Sequence, residues 1–533
     1  MTARTVRAAA RTTVAAALIT GAAACSQPGA GGAGGAGGAD AVVVGIATEP
    51  ESLSPLLGYG KDGNSKIFDG LLTHDADMKL KPALAEALPE VSADGRTYAY
   101  KLRQGVKFSD GAPFSAKDVV FTYRTILDAK TNNASKTELD AIDGVEARGE
   151  DTVVFTLKYP YAPFAERTVL PIAPEHIAGR QDVNSGDFTT RPVGTGPYVL
   201  TGWSKGEKLG FKANPGYWGG EPAVKKFTMA VVNDDDVRAT RLRSGELDGA
   251  ILPPNLAKGF EKDATRRIHE ARTFDYRNVT LPTHHNVTGD VAVRQALDLA
   301  VDRTAMVDKL LEGAGRPAYG PVPTDSPWFT AGTERRHDLD GAKKILDDAG
   351  WKAGEDGIRV KDGVRASFPL WYTSGDKIRQ DHALAFASDA KKAGIDVRTE
   401  AGTWEVIEPR MKTDAVLAGG GSPADPDFDQ YLLLKSSLGG DGFNNMAWYD
   451  NQAVDQALDE ARRSGDPAAR KAAYDTVQRE LVKNPGYVFL THIDHVYVVN
   501  DRWDGLGTQV EPHDHGLGSG PWWNVENWKP KQK

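Results

Sequence analysis

The chain predicts an α/β fold built from more than one unit, and three observations carry that prediction. At 533 residues it exceeds what one hydrophobic core organises, so two or three structural units are expected. Across residues 84–127 a strand, tight turns and a capped amphipathic helix follow one another. Between residues 290 and 397 helices alternate with single strands, which predicts a largely parallel sheet in the second half.

The chain opens on a leader. Arg4, Arg7 and Arg11 form a basic region, residues 14–19 an apolar one, and Ala22-Ala23-Ala24 precede Cys25, the only cysteine. This is the pattern of an export signal over residues 1–24, with an apolar run too short to span a bilayer. A lone cysteine at this place is similar to a lipoprotein box, in which the thiol is acylated and becomes the new N-terminus. Ala22 stands where a bulky aliphatic residue is usual, and simple cleavage leaving a free Cys25 is the other reading. With no second cysteine, intrachain disulfides are excluded and stability rests on a large packed core. Residues 29–39 are almost entirely Gly and Ala and read as a flexible tether within a linker over 25–40. The formal net charge is −9, and loss of the leader arginines makes it more negative, which argues against nucleic acid as a partner. No apolar run after Cys25 has membrane-spanning length, so a soluble body is expected.

Residues 41–46 read as a short buried strand that Glu49-Pro50 and Ser54-Pro55 turn out of. A loop through Tyr59 then leads to an expected helix over residues 65–72. Tyr98, Tyr100 and Leu102 alternate with Thr97, Ala99 and Lys101, the period of a strand with one buried face. Ser115 and Asp118 can cap the next helix reciprocally, with Val119, Val120, Tyr123, Ile126 and Leu127 on one face. Val153, Phe155 and Leu157 alternate again. Gly194-Thr195-Gly196 lets the backbone turn sharply before a strand, and without a Lys-Ser or Lys-Thr pair it is not a phosphate loop. Asp290 can cap a helix with an apolar face from Val293 to Leu311 that Gly313 ends. Helices over 342–349 and 381–393 stop at Gly350 and Gly394, before the strand Ile395-Asp396-Val397. A helix-rich region over 451–481, a strand from Tyr487 continuing toward Val499 and an aromatic tail at Pro521-Trp522-Trp523 complete the chain.

The segments SADGRTYAYKLRQGVKFSDG and APFSAKDVVFTY resemble a signature of the extracytoplasmic solute-binding proteins of ABC importers, family five, the peptide and nickel group. Residues 192–200, 214–220, 244–250, Arg294-Gln295-Ala296-Leu297 and Val301-Asp302-Arg303 continue the resemblance. It implies a two-lobed periplasmic-binding-protein-like fold, type II, of the large class with an extra subdomain. It also implies a hinge of two chain crossings, placed near Leu281 and Val499. The expected division is lobe 1 over 41–281 with an extra subdomain about 74–189, lobe 2 over 282–498, and a return to lobe 1 over 499–533. Function follows as expectation: a monomeric, membrane-tethered receptor lipidated at Cys25. It would capture a small oligopeptide or peptide-like solute and deliver it to ABC permease subunits, with no cofactor and no catalysis.

The ligand is expected where the resemblance is most specific, at Gly420, Gly421, Ser422, Asp425 and Asp427. Many peptide-binding relatives carry an aspartate three residues before the Asp-Pro pair, which holds the peptide's amine; Ser422 stands there in this chain. Nickel-binding relatives tend to have histidine just after that pair, and here it is Asp427. Tyr59, Phe274, Tyr276 and Trp404 are further pocket candidates, each equally suited to a core. The histidine pairs His492 and His495, His513 and His515, and His284 and His285 lack the spacing of a zinc site, so no metal ligands are assigned. A nickel or other metal chelate and an oligosaccharide, the latter stacked on tryptophan, are the alternative solutes. A secreted hydrolase is a weaker one, since Gly420-Gly421-Ser422-Pro423-Ala424 lacks the second glycine of a nucleophile elbow.

Overall fold

Ala41–Ile46 lies inside the first of two large sheets, paired in parallel with Lys226–Val231 on one side and Gly249–Leu252 on the other. Its β-branched residues suit that place, with Val42 and Val44 buried. The computed structural model describes residues 40–133, 135–513 and 518–531. Cys25, the expected signal and linker, and His515 lie outside the described residues. Among the described residues the first sheet runs Arg266–Ala271, His495–Asn500, Gly249–Leu252, Ala41–Ile46, Lys226–Val231, Lys208–Ala213, Tyr198–Ser204. No helix among them is long and apolar enough to cross a membrane.

A smaller sheet, Glu90–Val91, Thr97–Lys101, Thr152–Leu157 and Ile142–Ala147, contains the strand expected from the alternation at residues 97–102. Tyr98 and Tyr100 turn inward, where Phe155 meets Tyr100, Tyr123 and Phe164 edge-on. The helix Ala116–Leu127 starts with the expected reciprocal cap, the Ser115 amide donating to Asp118 Oδ2 at 2.9 Å. Val119, Tyr123 and Ile126 are buried, while Val120 and Leu127 are half-buried at the edge of the same face. Each buried aromatic or aliphatic side chain here contributes roughly 1.5–3 kcal/mol.

The second lobe is built on the order Gly315–Pro317, Tyr487–Ile493, Tyr276–Thr280, Ala415–Gly420, Ser367–Thr373, Asp396–Gly402. The expectation of a largely parallel sheet is corrected. Only Ser367–Thr373 pairs in parallel, with Asp396–Gly402 and Ala415–Gly420, and the remaining pairs are antiparallel. The reason is topological. Tyr276–Thr280 and Tyr487–Ile493 are the strands by which the chain enters and leaves the lobe, so no helical crossover joins them to a parallel neighbour. The chain passes between the large sheets through residues 272–275 and returns at Asp494, ahead of the expected Leu281 and Val499. Burial is continuous from Tyr487 to Val499, the polar residues Thr491, His492, Asp494 and His495 included, so no exposed break marks the return.

Three local expectations change. Residues 65–71 are not helical, because the carbonyls of Lys66 and Ile67 accept from the Tyr198 and Gly196 amides at 3.0 and 2.8 Å. Gly194 serves close approach rather than a sharp turn, since a Cβ there would lie 2.1 Å from the Ile67 carbonyl oxygen. The helix after Asp290 is two, Val291–Ala300 and Arg303–Leu310. Val301 is extended and Asp302 caps the second helix by accepting from the Ala305 amide at 3.0 Å. Arg303 is drawn inward, its Nε donating to the carbonyls of Ala318 and Phe489.

Candidate functional site in the cleft between the lobes

The glycine-rich end of Ala415–Gly420 faces the 61–74 loop of the first lobe across a cavity of about 400 Å³. The first lobe supplies Lys66, Phe68, Asp69, His74, Glu166, Arg167 and Trp218; the second supplies Gly420, Gly421, Ser422, Pro423, Phe428 and Asp429. The C-terminal segment closes the floor with Gln509, Glu511, His513, Trp523 and Glu526. Apolar and aromatic walls are the usual make-up of a small-molecule site, and here many charged and polar groups are set among them.

Most of the acids in this lining are already paired. Glu138 takes Lys61 at 2.9 Å and also Arg167; Glu166 takes His74 at 2.6 Å; Glu526 takes Lys66 at 3.0 Å. Asp69 is held by neutral donors, its Oδ2 accepting from Thr195 Oγ1 and Trp218 Nε1, both at 2.9 Å. Burial pushes its carboxyl above the usual range, against those hydrogen bonds. Asp429 accepts from the Tyr276 hydroxyl at 2.9 Å, and burial lifts it to about 7.

The chain crossings are cross-linked beside the cavity. Asp275 receives Arg277, His513 at 2.6 Å and His495 at 3.2 Å, while Glu511 takes the other nitrogen of His495 at 2.5 Å and the Tyr497 hydroxyl. Burial opposes charge on His495, but the two carboxylates outweigh it and raise the imidazole to about 9. On the return crossing, Asp494 holds Arg316 at 2.7 Å.

Of the residues expected at the ligand, Gly420, Gly421 and Ser422 line the cavity. Gly421 has φ +126°, and a Cβ there would lie 1.9 Å from the Phe274 carbonyl oxygen, so this strand end presses on the crossing as only glycine permits. Phe274 borders a small chamber behind Ser422. Tyr276 is buried against Phe489 and holds Asp429. Tyr59 stands behind Phe68, edge-on at 6.4 Å. Trp404 packs on Phe443 away from the cavity.

Asp425 and Asp427 are buried in ion pairs, Asp425 with Arg470 at 2.7 and 2.9 Å, Asp427 with Arg462 at 3.0 Å through both oxygens. Sequence reasoning passed over Asp429, although the spacing Asp425-Pro426-Asp427-Phe428-Asp429 was visible. Two residues along a helix is a turn of about 200°, so acids at that spacing serve different surroundings. It passed over Asp69, Trp218 and Trp523 too, because nothing local marks residues that long-range contacts bring together.

Among the histidines, His284 bonds the Lys412 carbonyl and His285 accepts from the Val287 amide, both outside the cavity. His492 lies near the end of one sheet's strand, Tyr487–Ile493, while His495 begins the other's. No group of three metal-ligating side chains occurs among the described residues.

Two α/β lobes, a pair of crossings between them and a polar cavity at their junction define a solute-binding protein of the two-lobed type. The family model described as "Bacterial extracellular solute-binding proteins, family 5 Middle" matches residues 79–442, and the chain belongs to this family. It is 68% identical to Protein XP55 of Streptomyces lividans, over 93% of this chain and 92% of that protein. NikZ from Campylobacter jejuni, solved in complex with Ni(L-His), superposes with a TM-score of 0.85 at 30% identity, covering 92% of this chain and 100% of that one. The oligopeptide-binding protein AppA of Bacillus subtilis, solved with a nonapeptide, has a TM-score of 0.81 at 27% identity, covering 92% and 99%.

Proposed function

We propose that this chain is the extracytoplasmic receptor of an ABC importer, capturing a small oligopeptide or peptide-like solute between its lobes and delivering it to permease subunits. The observation that carries the reading is the cavity of about 400 Å³ walled by both lobes and the C-terminal segment. That volume lies toward the small end for small-molecule sites, which favours a short solute over a long peptide. Gly420, Gly421 and Ser422 offer backbone and hydroxyl groups to it, while Tyr276, Asp425 and Asp427 brace the wall from behind. The chain itself performs no catalysis; it binds and releases. A metal chelate is the second reading, favoured by His513 and Glu511 in the lining and by the chelate bound in NikZ. Such a chelate would be gripped whole, as cargo.

A thermal-shift screen of the purified protein against short peptides, nickel with and without histidine, and oligosaccharides tests this. A solute that binds the folded state alone raises the melting temperature by mass action. Peptides are expected to give the largest shift; a shift with nickel-histidine alone would transfer the function to chelate uptake, and no shift with any class would overturn the receptor reading.

A further inference from the structure

We propose that Asp429 is the anchor for a protonated amine of the solute, which places the cargo among ammonium-bearing molecules. This deepens the receptor reading above and rests on it.

The first observation is the pairing of acids along the cleft. Glu138, Glu166, Glu511 and Glu526 each face a basic side chain within 3.0 Å. Asp69 has neutral donors at both oxygens, Thr195 and Trp218 at one and the Tyr217 hydroxyl at 3.4 Å at the other. Asp429 has the Tyr276 hydroxyl at Oδ1 and also draws on the Gly421 amide, while its Oδ2, shielded from solvent, has no hydrogen-bond partner. A buried carboxylate oxygen without a donor costs free energy that a charged donor recovers best.

The second observation lies beside it. Gln430 is fully buried, and neither polar atom of its side-chain amide is hydrogen-bonded. Asp429, Gln430, Ser422, Phe274 and Trp328 line a chamber of about 10 Å³ that shares Ser422, Pro423 and Asp429 with the main cavity. That is about the room one water-sized group needs, and an ammonium head is of that size. The chamber offers a carboxylate oxygen, the oxygen and NH2 of an amide, and two aromatic walls; with the carboxylate as its charged member, the set suits a compact cation that the amide oxygen can turn toward. Burial also lifts Asp429 to about 7, so an arriving ammonium restores the charge that burial suppresses.

The test is calorimetric titration of the full chain with trialanine, N-acetyl-trialanine, N-acetyl-Ala-Lys-Ala-amide, cellotriose and the nickel-histidine complex. Trialanine or the lysine peptide is expected to bind and N-acetyl-trialanine to fail; which of the first two binds tells an α-amine from a side-chain amine. Asp429→Asn keeps the Tyr276 contact and is expected to weaken the binding at least about tenfold, the worth of one hydrogen bond to a charged group. Adding Ser422→Asp, which returns a carboxylate to the same chamber, is expected to restore part of the affinity. Equal binding of trialanine and its acetylated form overturns the proposal, as does wild-type affinity in Asp429→Asn. Binding of cellotriose or the chelate alone leaves the receptor reading standing and overturns the amine; no binding by any probe removes both. Should Asp429→Asn not fold, as its melting transition reports, the acetylation comparison on the unaltered chain decides by itself.

Discussion

Three aspartates within five residues meet two different fates. Asp425 is neutralised by Arg470 and Asp427 by Arg462, whereas Asp429 meets a tyrosine hydroxyl and the cleft. Burial pushes its carboxyl from an ordinary 3.8 up to about 7, against the hydrogen bond from Tyr276. Between those values the unfolded chain has released a proton that the native protein retains, so this residue's contribution to ligand-free stability falls as pH rises from about 4 to about 7 and is level beyond. Asp429→Asn removes that slope. Melting temperatures of the two proteins across this range should diverge in favour of the variant as pH rises; parallel curves would mean that Asp429 ionises normally.

The helix Asp427–Leu434 is an element through which the second lobe reaches the first. Asp427 accepts the Tyr161 hydroxyl at 2.8 Å, Phe428 lies 3.4 Å beneath the Arg167 guanidinium, and Arg462, which grips Asp427, stacks on Tyr431. Tyr161 and Arg167 belong to the first lobe's side of the cleft, so the Tyr161–Asp427 and Arg167–Phe428 contacts exist only while the lobes are together. Tyr161→Phe deletes one hydrogen bond to a charged acceptor and leaves the ring packing intact. Solute affinity is expected to fall about tenfold, from loss of roughly 1.5 kcal/mol, with a larger radius of gyration by small-angle scattering. Unchanged affinity would show that the lobes meet regardless of this bond.

At the scale of the molecule, the crossings are where solute binding and lobe movement can be coupled. Asp275, His495, Glu511 and His513 join both strands to the C-terminal segment, and Glu511 and His513 also line the cavity. A change in the lining is thus passed to the only backbone linking the two large sheets among the described residues. The leader carries the expectation of a lipid tether at Cys25. Cys25→Ala is expected to move the protein from the detergent phase to the aqueous phase in a partitioning assay, and identical partitioning would remove the lipid anchor.

The sequence by itself determined the α/β class, the capped helix Ala116–Leu127, the helix stops at Gly350 and Gly394, and the glycine-rich wall at Gly420 and Gly421. These are written in short-range periodicity, caps and turns, with a resemblance strong enough to imply two lobes. Only the tertiary structure decided the rest. The loop at residues 65–71 is held open by carbonyl contacts to a segment far along the chain, and the return crossing hides in a run that is buried without a break, its polar residues included. Which aspartate faces the cavity depends on where two arginines of later helices come to lie, Arg462 and Arg470 neutralising Asp427 and Asp425 and leaving Asp429 to the cleft. Burial and charge pairing are properties of distant partners, and no local pattern encodes them.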